Sequence, residues 1–171
     1  PLQAGSFPLI PYVNRIADGR MQFRGREWLL PANFGDHPHT LHGIGWQRPW
    51  RIERHAEDRI DLLLHHPGGN GWPFPFRARQ WMQLAPDGFE TGLALTNLAD
   101  EPAPAGLGFH PYFLRHADSR LTALFDSAWA VDENGLPVRS VPAASFGNWE
   151  AGDTITQPGL VDNPYSGWDG S

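Results

Sequence analysis

With 171 residues, 40% of them apolar and 12% aromatic, the chain is long enough to bury one core, and a single domain over 1–171 is expected. A formal net charge of -6 without any basic run excludes the phosphate-binding surfaces that nucleic acids and anionic membranes require, so neither is an expected partner. There is no cysteine, and all thirteen basic residues are arginine, which excludes disulfides, thiolate-bound zinc, thiol nucleophiles, Schiff-base lysines and a P-loop.

The N-terminal stretch PLQAGSFPLIPYV has neither the basic flank nor the apolar run of a signal peptide. No apolar segment approaches the roughly 18 residues of a membrane helix, so a soluble, cytoplasmic chain is expected. GRMQFRGREWLL, residues 19–30, reads as a hairpin turning near Gly25, and residues 35–46, GDHPHTLHGIGW, have the composition of an exposed loop. Trp50 to His55 pairs with Arg59 to His66 across AED, and HHPGGNGWPFPF is a loop whose glycines precede a strand, a poor phosphate cradle. Phe76, Ala78, Met82 and Leu84 alternate with Arg77, Arg79 and Gln83. The alternation resumes after APDG with Phe89, Thr91, Leu93 and Leu95, which predicts a hairpin with its turn at Pro86-Asp87-Gly88. ADEPAPAG is a connection inside the domain, followed by short strands at Ala105 to Phe109, Arg120 to Phe125 and Ala128 to Val131, the last ending at DENG. Many short strands with no uninterrupted helical stripe imply an antiparallel sandwich or barrel.

Four places carry candidate chemistry. In VNRIADGR, Asn14 and Arg15 offer an amide and a guanidinium that can hold several hydroxyl oxygens; a turn cap and a salt bridge are the plainer alternative. His37, His39 and His42 fall within six residues, a spacing open to zinc or copper, to incidental loop histidines, or to His42 alone acting beside Trp46. An indole wall suits sugars, because a pyranose stacks its C–H face on the ring while its hydroxyls meet polar groups. In GLGFHPYF, His110 is either a structural imidazole with a satisfied hydrogen bond or a proton-transfer group, since imidazole titrates near neutrality. Asp162, in LVDNPYSGWDG, is a ligand anchor or the start of an Asx-turn. The chain has no nucleophile elbow and no dinucleotide fingerprint.

PLIPYVNRIADGRMQFRG, LHGIGW, WPFPFRARQWMQL, TNLADEPAPAGLGFHPYF and VDNPYSGWDG, in that order, resemble the aldose 1-epimerase (galactose mutarotase) family from about residue 8 to the end. The resemblance implies an all-β fold, a large antiparallel β-sandwich of the galactose mutarotase-like supersandwich type, here truncated at both ends. It implies an isomerase that interconverts the α and β anomers of a hexose by acid/base ring opening, with an aldose as partner and no cofactor or metal. His110 would be the general acid toward the ring oxygen; Asn14, Arg15, His42 and Asp162 would bind sugar hydroxyls. The family's general-base glutamate comes from a segment expected beyond Ser171, and none of the nineteen carboxylates here stands in its context. LHGI departs from the commoner Gly-Gly after the histidine, and Asn163 replaces a frequent histidine after Asp162. Other readings are a non-catalytic carbohydrate-binding domain, a hexose-6-phosphate 1-epimerase using Arg24, Arg26, Arg77 and Arg79, and a histidine-bound metalloprotein.

Overall fold

Period-two patterning becomes antiparallel pairing almost everywhere in the computed structural model, which describes residues 5–156, 159–168 and 170. The chain divides into two compact units, Pro1–Tyr112 and Phe113–Ser171. The described part of the first unit holds β1 (Ser6–Leu9), β2 (Arg15–Ile16), β3 (Arg20–Phe23), β4 (Arg26–Leu29), β5 (Thr40–Leu41), β6 (Arg51–His55), β7 (Arg59–His66), β8 (Phe76–Ala85), β9 (Gly88–Asn97) and β10 (Gly108–Pro111).

Strands β6-β7-β8-β9 form one antiparallel sheet in sequence order, with short turns at 56–58 and 86–87 and a longer connection over 67–75 between β7 and β8. The predicted 76–97 hairpin is present, closing with Ala85 opposite Gly88, and its alternation places Phe76 and Ala78 in the core while Arg77 and Arg79 face outward. The pattern fades at the turn end, where Leu84 is 61% exposed, because the core lies against the other end of the sheet. That core gathers Ile10, Tyr12, Leu30, Ile44 and Leu64 with Trp72, Phe74, Phe76 and Ala78, flanked by Met21, Phe23 and Trp28 from the β3–β4 hairpin. The hairpin turns at Arg24-Gly25, as predicted.

Several expectations need correction. The connection is shorter than the expected 65–76 loop, running from 67 to 75, because His65 and His66 pair with Arg77 and Phe76 in the ladder. Trp72 and Phe74 are buried within it, its prolines and glycines bending the chain so that aromatic rings enter the core. Residues 35–46 are not an exposed loop, since Thr40 and Leu41 are buried in β5, which pairs with β2. Strand β10 begins three residues later than predicted, because it takes its register from β1, with Leu9 opposite Gly108 and Ser6 opposite Pro111. Upstream, Gly106 N–H bonds the Pro11 carbonyl instead of extending the ladder.

In the second unit β11 (Arg120–Leu121) pairs with β14 (Asp153–Thr154), and β12 (Ser127–Val131) lies between β13 (Pro137–Pro142) and β15 (Tyr165–Ser166). The predicted 120–125 strand shortens to two residues because its partner is two residues long; beyond it Ala123 N–H bonds the Trp149 carbonyl and the Phe125 ring lies 4.6 Å from Tyr165. DENG does turn: Asp132 Oδ1 accepts the N–H groups of Asn134 and Leu136, each at 2.9 Å. Helical backbone among the described residues is confined to short 3₁₀ turns, and none of their helices is long and apolar enough to cross a membrane.

Candidate functional site

Register brings His110 to its neighbours. In the β1–β10 pair it stands directly opposite Phe7, and opposed residues project to the same face. The two rings stack 4.7 Å apart at 10°, an arrangement worth about 1 kcal/mol beyond simple burial. The ring of Tyr112, two residues on, is centred 4.9 Å from the imidazole, and that of His42, steeply inclined to it at 74°, is centred 5.7 Å away. His110 is half-buried, and its Nδ1 is buried with no hydrogen-bond partner among the described residues.

His42 is held by a tightly specified backbone. It has φ 58, and Asn14 has φ 64, both in the left-handed region that side chains usually avoid. Each supports the other: His42 N–H donates to the Asn14 carbonyl at 2.9 Å, and Asn14 N–H donates to His42 Nδ1 at 3.1 Å. Gly43, at φ 69, lies against the Ile10 carbonyl so closely that a Cβ would collide with it, and the same carbonyl accepts the N–H groups of Ile44 and Gly45. From the other side Asn33 accepts the Leu41 N–H at 2.8 Å and donates to the carbonyls of Leu41 and Gly43.

Arg15, in β2 opposite Leu41, donates from a terminal guanidinium nitrogen to Asn14 Oδ1 at 3.2 Å. Trp46 donates its indole N–H to the Gly43 carbonyl at 3.2 Å, and its ring is 5.9 Å from Phe7. Asn14, Arg15, His42 and His110 thus come together with Phe7, Trp46 and Tyr112. Asp162 lies in the second unit and is exposed. Phe7, Asn33 and Tyr112 were not singled out from sequence. Phe7 sits in SFPLIP, where two prolines mask a strand, and Asn33 acts eight and ten residues away through backbone contacts that no local pattern encodes.

The histidine triplet disperses. His39 is buried, taking the Asp18 N–H on Nδ1 at 3.0 Å, while His37 Nδ1 accepts the His39 N–H at 3.1 Å. Neither is on a strand; their rings lie 5.5 Å apart, and no cluster of three potential metal ligands occurs among the described residues. Of the arginines considered for phosphate, Arg79 is paired with Glu53 at 2.7 Å and Arg26 lies 3.8 Å over the Trp28 ring. Elsewhere, His66 contacts the Trp72 carbonyl at 2.7 Å; burial pushes its pKa below the usual imidazole value, only partly opposed by this bond. Asp61, buried in β7, receives a two-pronged bond from Arg59 at 2.8 and 2.9 Å, which holds its carboxyl below the ordinary carboxylate range.

This is an all-β protein with an aromatic-walled cluster of two histidines and an arginine. The chain belongs to the aldose 1-epimerase family, whose model matches residues 3–170. It is 31% identical over 173 residues to the uncharacterized protein YphB of Escherichia coli K12, the match covering 98% of this chain and 57% of that protein. Galactose mutarotase of Mus musculus is 27% identical over 134 residues, covering 73% of the chain and 38% of the mouse protein. Among solved structures, a candidate aldose 1-epimerase of Escherichia coli K12 superposes with a TM-score of 0.90 at 29% identity, covering 98% of this chain and 56% of that one. A galactose mutarotase-like protein of Clostridium acetobutylicum shares the fold, with a TM-score of 0.71 at 22% identity over 83% of this chain and 46% of its own. The chain spans little more than half the length of YphB.

Proposed function

We propose that the chain carries the acid-side half of a hexose mutarotase, with residues 1–171 belonging to one aldose 1-epimerase-like domain. Support comes chiefly from His110, a half-buried imidazole packed against Phe7 and Tyr112 with His42 at its edge. In this reading His110 gives a proton to the ring oxygen of a pyranose as a base removes the proton of the anomeric hydroxyl. The bond between the anomeric carbon and the ring oxygen breaks, the open aldehyde rotates about its first carbon–carbon bond, and closure from the other face returns both protons. Arg15 and His42 bind sugar oxygens, and Asn14 contributes beside them. The base is a glutamate outside residues 1–171. Because the buried Nδ1 of His110 has no partner among the described residues, proton exchange with the sugar runs through Nε2.

Polarimetry on freshly dissolved α-galactose and α-glucose tests this. The protein including the glutamate segment should speed anomer exchange over buffer, and His110→Asn should lower its kcat by about 100-fold or more while sugar affinity stays within a few-fold. Arg15→Ala should raise KM as well as slow turnover, because a positioning contact acts in ground and transition states alike. Undiminished turnover in His110→Asn would remove His110 from the role. Sugar binding without any acceleration in the wild type would favour a non-catalytic carbohydrate-binding domain.

A further inference from the structure

We infer that Asn14 is a positioning residue that fixes His42 as its Nε2–H tautomer, making His42 a hydrogen-bond donor to an acceptor oxygen of the sugar and leaving proton transfer to His110. The ligand half of this inference rests on the sugar-binding reading above; the tautomer half rests on geometry alone. An N–H can donate only to a ring nitrogen that carries no proton, and the Asn14 N–H is directed at His42 Nδ1 at 3.1 Å. While that bond holds, the proton of the neutral ring is on Nε2.

The bond is enforced. Asn14 and His42 both occupy left-handed backbone, and such strain persists only where the surroundings over-determine it. Here the surroundings are the reciprocal His42–Asn14 bond, the Ile10 carbonyl beneath Gly43 to Gly45, and the three bonds from Asn33. The Asn14 side chain is also committed, with Oδ1 accepting from Arg15. Asn14 therefore acts through its neighbours: its backbone sets the ring of His42 and its side chain steadies the guanidinium of Arg15.

The chemistry divides accordingly. His42 Nε2–H and the Arg15 guanidinium are both donors, so this side of the site recognises oxygen lone pairs. His42, whose Nδ1 is occupied as an acceptor, is not the group that shuttles the proton.

The test is nitrogen NMR on the chain labelled with nitrogen-15 in histidine and asparagine, above pH 7.5, with His42 assigned from a His42→Gln variant. The expected result is an unprotonated His42 Nδ1 showing a through-hydrogen-bond coupling to the Asn14 amide nitrogen. Asn14→Gly, which keeps both the N–H and the left-handed backbone, should retain the tautomer; Asn14→Ala should weaken the coupling. A proton on His42 Nδ1, or no coupling in the wild type, would overturn the lock whatever the protein's activity. On adding galactose to saturation the His42 Hε2 resonance should move downfield. An unmoved resonance with galactose bound would overturn the donor role alone, and absence of galactose binding would overturn that role together with the sugar reading.

Discussion

Strand β8 pairs with β9 through ten consecutive residue pairs, from Phe76 opposite Asn97 to Ala85 opposite Gly88, without a register shift, whereas β2 and β5 share only two. The long pair is held by ladder hydrogen bonds and by side chains that alternate between a core face and an outer face. The short pair belongs to a region organised by single carbonyls and amides: Ile10, Asn33 and Asn14 each meet several groups of the 41–45 segment. Regular pairing gives stability spread over many equivalent contacts. The candidate site gives that up for a few irreplaceable ones, which hold His42 and Asn14 in conformations that a plain strand would not supply.

The sharpest way to break this contrast is through glycine. Gly43→Ala should cost about 3 kcal/mol or more, combining left-handed strain with a collision at the Ile10 carbonyl. Gly25→Ala, at φ 75 in the β3–β4 turn with no atom within 4 Å of the added Cβ, should cost only the strain, about 1–2 kcal/mol. Urea unfolding of both variants measures the difference; equal losses would mean that the 41–45 segment yields as easily as an open turn.

A smaller effect concerns pH. The lowered pKa of His66 means that the unfolded chain binds a proton there before the folded one does, so stability falls as pH drops from about 6.5 toward the native value. His66→Gln, which preserves a donor for the Trp72 carbonyl, should flatten this slope in thermal melts between pH 7 and 5. An unchanged slope would place the acid sensitivity elsewhere. Smallest of all, Arg20→Ala should change stability by about 0.5 kcal/mol or less, because its 2.7 Å pair with Glu27 is solvent-exposed and screened.

The β6–β7 and β8–β9 hairpins could be read from the chain because period-two alternation and Pro-Asp-Gly turn chemistry are local, whereas the β7–β8 pairing that joins them into one sheet could not. The strand at 105–109 was placed early because its register is dictated by β1, about a hundred residues distant, which Pro8 within it and Pro11 just after it conceal. His110, His42, Arg15 and Asn14 were recognisable as candidates from the residues around them and from the ordered motifs. The part that Asn14 plays was not: a left-handed backbone meeting an imidazole 28 residues away leaves no trace in composition or spacing.

By itself, then, the order of residues determined the all-β character, the β3–β4, β6–β7 and β8–β9 hairpins, the family, and which side chains are chemically able to act. These depend on periodicity, turn propensity and residue type, all properties of short windows. Only the tertiary structure decided that Phe7 faces His110, that His39 turns to Asp18 while His42 turns to Asn14, and that Trp72 and Phe74 leave a glycine-rich connection to enter the core. Those outcomes rest on contacts between distant segments, where satisfying one buried carbonyl or filling one void outweighs any local preference.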